Sequence, residues 1–232
     1  MHILFPRRCM CCGKVLNFEN YKRGVCDSCK RNMVLVKEPR CTICGKPIRF
    51  IFDAYCKDCS RRKHSYIQGR GVFVYTGPMK LAMYGFKYSN SRYIASTCAQ
   101  IAWREYKEWI GYIQPDVIIP VPMYEKKKRR RGYNQAEVFG RALSKESGIP
   151  VAKDYVIRCA DTVPLKGLDL CQRQENLKNA FKIKENALKF NCALIVDDIY
   201  TTGTTIDAVA KVLQSQGVTN VYFLTICIGS DI

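Results

Sequence analysis

The residues from Ala193 to Thr205, Ala-Leu-Ile-Val-Asp-Asp-Ile-Tyr-Thr-Thr-Gly-Thr-Thr, constrain the fold more than any other stretch of the chain. An apolar run ends in two adjacent carboxylates, a Thr/Gly-rich turn follows, and a helical pattern runs from Thr204 to Gln216. That order predicts a strand over 193–196, an acidic pair, a small-residue loop and a helix N-terminus. Neighbouring carboxylates accept hydrogen bonds from vicinal hydroxyls. Loop amides and threonine hydroxyls at a helix start cradle a phosphate, with the helix dipole behind them. Gly203 lets the backbone approach the anion without a Cβ in the way. A phosphorylated sugar suits all of these groups together. The bland alternative, Asp197 and Asp198 as helix caps, needs only one carboxylate and leaves Thr-Thr-Gly-Thr-Thr unexplained.

This stretch resembles the phosphoribosyl-pyrophosphate (PRPP) motif of type I phosphoribosyltransferases. Around it, strand and helix patterns alternate. Strands are predicted at 71–75, 116–121, 193–196 and 221–228, with weaker candidates at 156–157 and 181–183. Helices are predicted at 78–86, 92–110, 134–147 and 204–216. Such alternation implies an α/β fold, a mostly parallel sheet with helices on both faces. Ligands of such sheets bind at the carboxyl ends of the strands, where Asp197-Asp198 and Pro120-Val121-Pro122 both fall.

The N-terminal part repeats. Cys9 and Cys12 precede Gly13-Lys14 and then Cys26 and Cys29; Cys41 and Cys44 precede Gly45-Lys46 and then Cys56 and Cys59. In a chain without a signal-peptide pattern, tandem CxxC pairs read as metal ligands rather than disulfides. Each unit supplies four thiolates, enough for one zinc, so two zinc ions are expected. Sequential sites, cross-braced sites, or one occupied and one degenerate site all fit the spacing, and Cys11 is a spare thiol that could compete. So small a module has almost no core, which makes zinc binding a large part of its folding free energy. Residues 1–66 are therefore expected to form a zinc-binding module and 67–232 the larger α/β unit.

The formal net charge is +18 with thiols counted neutral. Two sites of four thiolates on a divalent ion each carry −2, leaving about +14, and so basic a chain expects a polyanionic partner. Residues 1–63 hold 15 Lys/Arg against 5 Asp/Glu, with Tyr21, Phe50, Phe52 and Tyr55 among them. This mixture suits single-stranded nucleic acid; alternatively, the aromatics pack around the metals. A second basic feature is Lys126-Lys127-Lys128-Arg129-Arg130-Arg131, read as an exposed loop beside a polyanion, hinged at Gly132, with Asn134 capping the next helix. No apolar run approaches the roughly 20 residues of a membrane span, and a cytoplasmic location is expected. No general base stands out: His2 and His64 both precede the larger unit.

Together the CxxC pairs, Phe86-Lys87-Tyr88, Pro120-Val121-Pro122, Arg130 through Gln135, Arg173 through Asn176 to Ala180-Phe181, and Asp197 through Thr205 resemble the ComF (ComFC-type) competence protein family. Departures occur at Leu165, where relatives often carry Gln, and at Asp169-Leu170, where they often carry Ser-Arg. The resemblance implies a zinc finger joined to a type I phosphoribosyltransferase-like domain. It also implies a cytoplasmic role in natural transformation, handling incoming single-stranded DNA with a DNA helicase partner. By the same resemblance Asp197 and Asp198 would hold the ribose hydroxyls, and Thr201, Thr202, Gly203, Thr204 and Thr205 the 5′-phosphate. Val121, Pro122 and Met123 would meet the pyrophosphate with Mg²⁺, and Lys87 and Arg131 would contact it. Lys126, Lys127, Lys128, Arg129 and Arg130 remain for nucleic acid. Three functions stay open: DNA handling with a regulatory sugar-phosphate pocket, phosphoribosyl transfer to an unknown acceptor, and a zinc module with a ligand-sensing domain.

Overall fold

A computed structural model of the chain describes residues 6–159, 180–184 and 189–230. Two short helices, α1 (Phe18–Tyr21) and α2 (Asp27–Asn32), lie in the N-terminal part. Then follow β1 (Gln68–Val74), α3 (Gly77–Tyr88), α4 (Tyr93–Ile113), β2 (Val117–Pro120), α5 (Glu125–Arg131), α6 (Gln135–Ser147), β3 (Val156–Arg158) and β4 (Phe181–Ile183). The chain closes with β5 (Cys192–Tyr200), α7 (Thr204–Gln214) and β6 (Asn220–Ile228). Most of the stretch from Cys171 to Phe181, with Arg173 and Asn176, lies outside the described residues, as do His2, Leu165 and Asp169-Leu170.

The main sheet runs β1-β6-β5-β2 with every pairing parallel, and β3 and β4 form a separate antiparallel pair. Parallel strands covered on both faces must be apolar on both. Accordingly, Leu194 and Val196 of β5 enter a core with α3, α4 and α6, through Met83, Phe86, Ile94, Phe139 and Leu143. Ala193 and Ile195 enter a second core with α7, through Ile206, Val209 and Leu213. The cysteine-rich segment shares these cores: Cys9, Met10, Leu16 and Val25 join the first, and Cys41, Cys44, Ile48 and Cys56 the second. Residues 34–36 run along the outer edge of β1, with Val36 N–H donating to Val72 O at 3.0 Å and Val74 N–H to Val34 O at 2.8 Å. This cover blunts an otherwise open sheet edge.

Two local expectations are corrected. The strand thought to stop at Val196 continues through the acidic pair to Tyr200, because β6 stays paired with it out to Ile228. β2 drops away at Pro120, where proline has no N–H for the ladder, so the acidic pair occupies a strand edge its neighbour has left. The hexabasic run is a helix, not a loop. Lys and Arg are good helix formers, Glu125 sits in the first turn and four cations in the last, and both placements match the helix dipole. Arg129 and Glu125 pair at 3.5 Å one turn apart, and Gly132 closes the helix with its N–H on Lys128 O at 2.8 Å. The helix buries none of its residues, so the expectation of an unpacked element holds.

Candidate functional site: two cysteine tetrads and an acidic crevice

Each CxxCGK turn folds the same way. Cys9 N–H donates to Lys14 O at 2.7 Å and Gly13 N–H to Cys9 O at 3.0 Å; the second unit repeats this with Cys41 to Lys46 at 2.8 Å and Gly45 to Cys41 at 2.9 Å. Gly13 and Gly45 take φ of 73° and 77°, the left-handed region that glycine enters without a Cβ penalty. The turns gather Cys9, Cys12, Cys26 and Cys29 into one tetrad and Cys41, Cys44, Cys56 and Cys59 into another, with ligand atoms within 4.8 Å of one another. The sulfurs of Cys12 and Cys26 are 3.7 Å apart and those of Cys44 and Cys56 3.5 Å. Four thiolates tetrahedral about zinc at about 2.3 Å sit about 3.8 Å from one another, so both tetrads fit the ion. The sites are sequential, not cross-braced. Cys11 is outside the tetrad but beside it: its thiol neighbours those of Cys9 and Cys29, contacts Met33 Sδ at 3.7 Å, and is pushed up to about 12 by burial and then by the Cys9 and Cys12 charges.

The second feature lies where β5 outlasts β2. Asp197 Oδ1 accepts from the Asp198 backbone N–H at 2.8 Å, and Asp198 Oδ2 pairs with Lys87 Nζ from the last turn of α3 at 2.9 Å. Burial, then the Asp198 charge, raises the Asp197 carboxyl well above the usual carboxylate range. Burial pulls Lys87 down, but the Asp198 charge and hydrogen bond more than restore it, so the lysine stays charged. Beyond Tyr200 the chain turns through exposed Thr201 to Gly203, whose φ of 77° starts α7. A Cβ at Gly203 would lie 2.5 Å from Tyr200 Oη, so glycine is needed for space as well as conformation. Thr202 and Thr204 share a hydroxyl hydrogen bond at 2.9 Å, with the half-buried Thr205 following at the helix start. Across the crevice, Val121 N–H donates to Val196 O at 2.9 Å, so the exit of β2 runs directly beside Asp197. Pro122 and Met123 lead on to a neighbouring cavity of about 250 Å³, lined by Lys128, Lys153 and Arg158 together with Glu125, Glu137 and Asp154 and not by the acidic pair or the threonine loop.

Residues 1–60 match the family model of the double zinc ribbon domain, and residues 144–230 that of the phosphoribosyl transferase domain. Competence protein F of Haemophilus influenzae is 31% identical over 219 residues, 92% of this chain and 93% of that protein. This chain belongs to the competence protein F (ComF) family. Its other relatives include the DNA utilization protein YhgH of Salmonella typhimurium, 28% identical over 96% of this chain and 97% of that one. Competence protein ComFC of Bacillus subtilis is 26% identical over 83% and 79%. The ribbons of this ComF chain, with their two tetrads, are a ligand set for two zinc ions.

In this ComF chain the Arg131-Gly132-Tyr133-Asn134-Gln135 segment is a clamp. The Phe86 carbonyl is among the last of α3, which have no partner within the helix. Tyr133 Oη donates to it, and so does Gln135 Nε2 at 3.1 Å. Asn134 caps α6, with Oδ1 accepting from Ala136 N–H at 3.1 Å, while its Nδ2 donates to Val121 O at 2.9 Å. One short segment thus fixes both the helix end that carries Lys87 and the β2 exit. Arg131 lies over the Tyr88 ring at 5.3 Å, close enough for its charge to oppose that of Lys87. Its Nη1 donates to Gln135 Oε1 at 3.3 Å, while its Nε is buried with no hydrogen-bond partner among the described residues.

The other cations of α5 disperse. Lys128 pairs with Glu137 at 3.4 Å, and Lys126, Arg129 and Arg130 are exposed. The ribbon aromatics do not all pack around the metals: Phe52 is 96% exposed, Phe50 58% and Tyr55 51%. Residues 62–66, which local sequence gave no reason to connect with the crevice, press on the back of its loop. Arg62 Nη2 donates to Thr202 O, His64 Nδ1 meets Asp207 Oδ2 at 2.8 Å, and Ser65 N–H donates to Asp207 Oδ1 at 2.9 Å. His64 and Asp207 are 143 positions apart, so no local pattern joins them.

Proposed function

We propose that this chain binds PRPP, or a closely related phosphosugar, in the crevice between β5 and β2, and that it handles incoming single-stranded DNA during natural transformation. Residues 1–66 serve as the zinc module and 67–232 as the phosphoribosyltransferase-like unit of a cytoplasmic protein that works with a DNA helicase. The observation that carries the pocket is the half-buried acidic pair on the end of β5 that β2 no longer pairs, followed at once by a threonine loop opening a helix. Asp197 and Asp198 take the ribose hydroxyls. The amides and hydroxyls of Thr201 to Thr205 take the 5′-phosphate. Lys87 leaves Asp198 for the pyrophosphate, joined by Arg131, so the ion pair of the free protein stands in for the ligand's charges. Magnesium takes oxygen ligands, which the carboxylates and hydroxyls of the crevice supply beside those of the pyrophosphate.

The names of the relatives, a competence protein and a DNA utilization protein, support the DNA role. So do the basic charge and the exposed cations of α5 and aromatics of the second ribbon. The test is single-stranded DNA binding together with pyrophosphate release from PRPP, each with and without the other ligand. Binding of both without pyrophosphate release fits a pocket used for regulation. Release that depends on an added acceptor supports the second reading, active phosphoribosyl transfer, in which the bond from the anomeric carbon to pyrophosphate breaks, its electron pair leaves with pyrophosphate, and the acceptor bonds to that carbon. That reading is favoured by the Asp197 carboxyl, which burial and the neighbouring Asp198 charge raise well above the usual carboxylate range, as in acid–base sites. Binding of neither ligand overturns the proposal.

A further inference from the structure

The segment joining the second ribbon to β1 makes a row of contacts along the back of the phosphosugar loop. Arg62 donates to the Thr202 carbonyl and lies 3.7 Å from Asp207, while His64 and the Ser65 amide hold the two carboxylate oxygens of Asp207. Tyr66 Oη pairs with Tyr200 Oη at 2.7 Å, and the Tyr200 ring is the surface on which Gly203 sits. Every contact falls between Tyr200 and Asp207, the stretch that leads from the acidic pair into α7. At its other end the row meets the second tetrad: the remaining ring nitrogen of His64, Nε2, lies 3.4 Å from the sulfur of Cys59. His64 and Asp207 are both well buried, with side chains 1% and 14% exposed.

Two physical consequences follow. First, a turn of threonines and glycine has little side-chain packing of its own. Residues 62–66 supply what it lacks, fixing the Thr202 carbonyl and, through Asp207, the first turn of α7. A binding site already held in its bound shape loses less ordering entropy when ligand arrives. Second, Asp207 is an acid in the first turn of α7, where its charge would oppose an incoming phosphate. Arg62 offsets that charge and His64 takes up one of its oxygens, turned away from the loop.

Resting on the proposed phosphosugar pocket, we infer that Arg62 and His64 are positioning residues for its phosphate loop and that the second zinc ion, through Cys59, holds them in place. Zinc at the second ribbon and phosphosugar at the crevice are then coupled, and the coupling is reciprocal: each ligand tightens the other by the same factor. The first ribbon has no such contact among the described residues and serves as the internal control.

The test uses the full-length chain carrying zinc. Binding of Mg²⁺·PRPP is measured by calorimetry, and zinc retention at a fixed concentration of a chromophoric chelator is measured with and without Mg²⁺·PRPP. In wild type, PRPP should increase retention of one of the two zinc ions and leave the other unchanged. Arg62→Ala and His64→Ala should each weaken PRPP binding by roughly tenfold, the equivalent of about 1.4 kcal/mol, and abolish the zinc protection. Asp207→Asn keeps the size of the side chain, guards against misfolding of the larger changes, and should likewise uncouple the two sites. Circular dichroism checks that each variant is folded. Variants that bind PRPP as wild type does, or a wild type whose zinc retention ignores bound PRPP, overturn the inference while leaving the pocket standing. A wild type that does not bind PRPP removes the pocket, and the inference with it, and is read from the first titration alone.

Discussion

Asp197 and Asp198 sit side by side on β5 yet carry different burdens. Asp198 has Lys87 at 2.9 Å, whereas burial and the Asp198 charge both raise the Asp197 carboxyl. An unfolded aspartate titrates at about 3.9. Below that pH both folded and unfolded chains hold the proton. Above it the unfolded chain releases a proton that the folded chain must keep, or the folded chain must bury a second negative charge. Stability is therefore lost as pH rises from about 4 through the elevated folded value. Asp197→Asn removes this loss. It should melt higher than wild type at neutral pH, by roughly 2–4 °C for each kcal/mol regained in a chain of this size, and the two should converge near about pH 4. Thermal melts across pH decide it; a melting difference that does not vary with pH would mean that the group titrates alike folded and unfolded. The same variant should bind PRPP less well, the mark of a residue kept for function at some expense of stability.

At the scale of elements, the legible parts were those whose chemistry is local. The β5–loop–α7 unit is announced by thirteen consecutive residues, and the ribbon turns by their CxxCGK spacing. The N-cap at Asn134 is likewise local, and the structure shows it. The cation run of α5 suggests a loop by charge alone, but Lys and Arg favour helix and complete its dipole. The extension of β5 depends on β6, its parallel partner across the α7 crossover, and so does not show within the strand's own residues. The row from Arg62 to Tyr66 is invisible for the same reason, because its partners lie 134 to 143 positions away. The helical reading of α5 sharpens what it should do with DNA. Lys128 is committed to Glu137, and Arg131 lies over the Tyr88 ring with its Nη1 on Gln135. If Lys126, Lys127, Arg129 and Arg130 lie along single-stranded DNA, replacing all four by Gln should flatten the plot of log affinity against log salt by about 2 to 3, at roughly 0.7 per phosphate. All sequences should weaken alike, since phosphate contacts carry no base information. An unchanged slope would move the DNA surface to the exposed Phe50, Phe52 and Tyr55 of the second ribbon, where alanine substitutions would then take effect.

For the whole molecule, the ribbons are not appendages: their cysteines and apolar residues complete both cores of the sheet. Elemental analysis should find close to two zinc ions per chain, and a value near one would mean that a tetrad stands empty. The two should not leave together. Cys12 is exposed and Cys26 half-buried, whereas all four ligands of the second tetrad are buried, so a chelator should strip the first ribbon before the second. Cys41→Ser should lower the melting temperature of the entire chain, because Cys41 packs in the same core as Ile195 and Phe223 of the sheet. Among the described residues no helix is long and apolar enough to cross a membrane. The central claim is that the crevice at the end of β5 holds a phosphosugar. Calorimetric titration of Mg²⁺·PRPP into wild type and Asp198→Asn tests it most directly. One site per chain is expected in wild type and affinity lower by roughly tenfold or more in the variant, since a hydrogen bond to a charged group contributes about 1.5–3 kcal/mol. Equal affinity in the two proteins, or no binding to wild type, would contradict it.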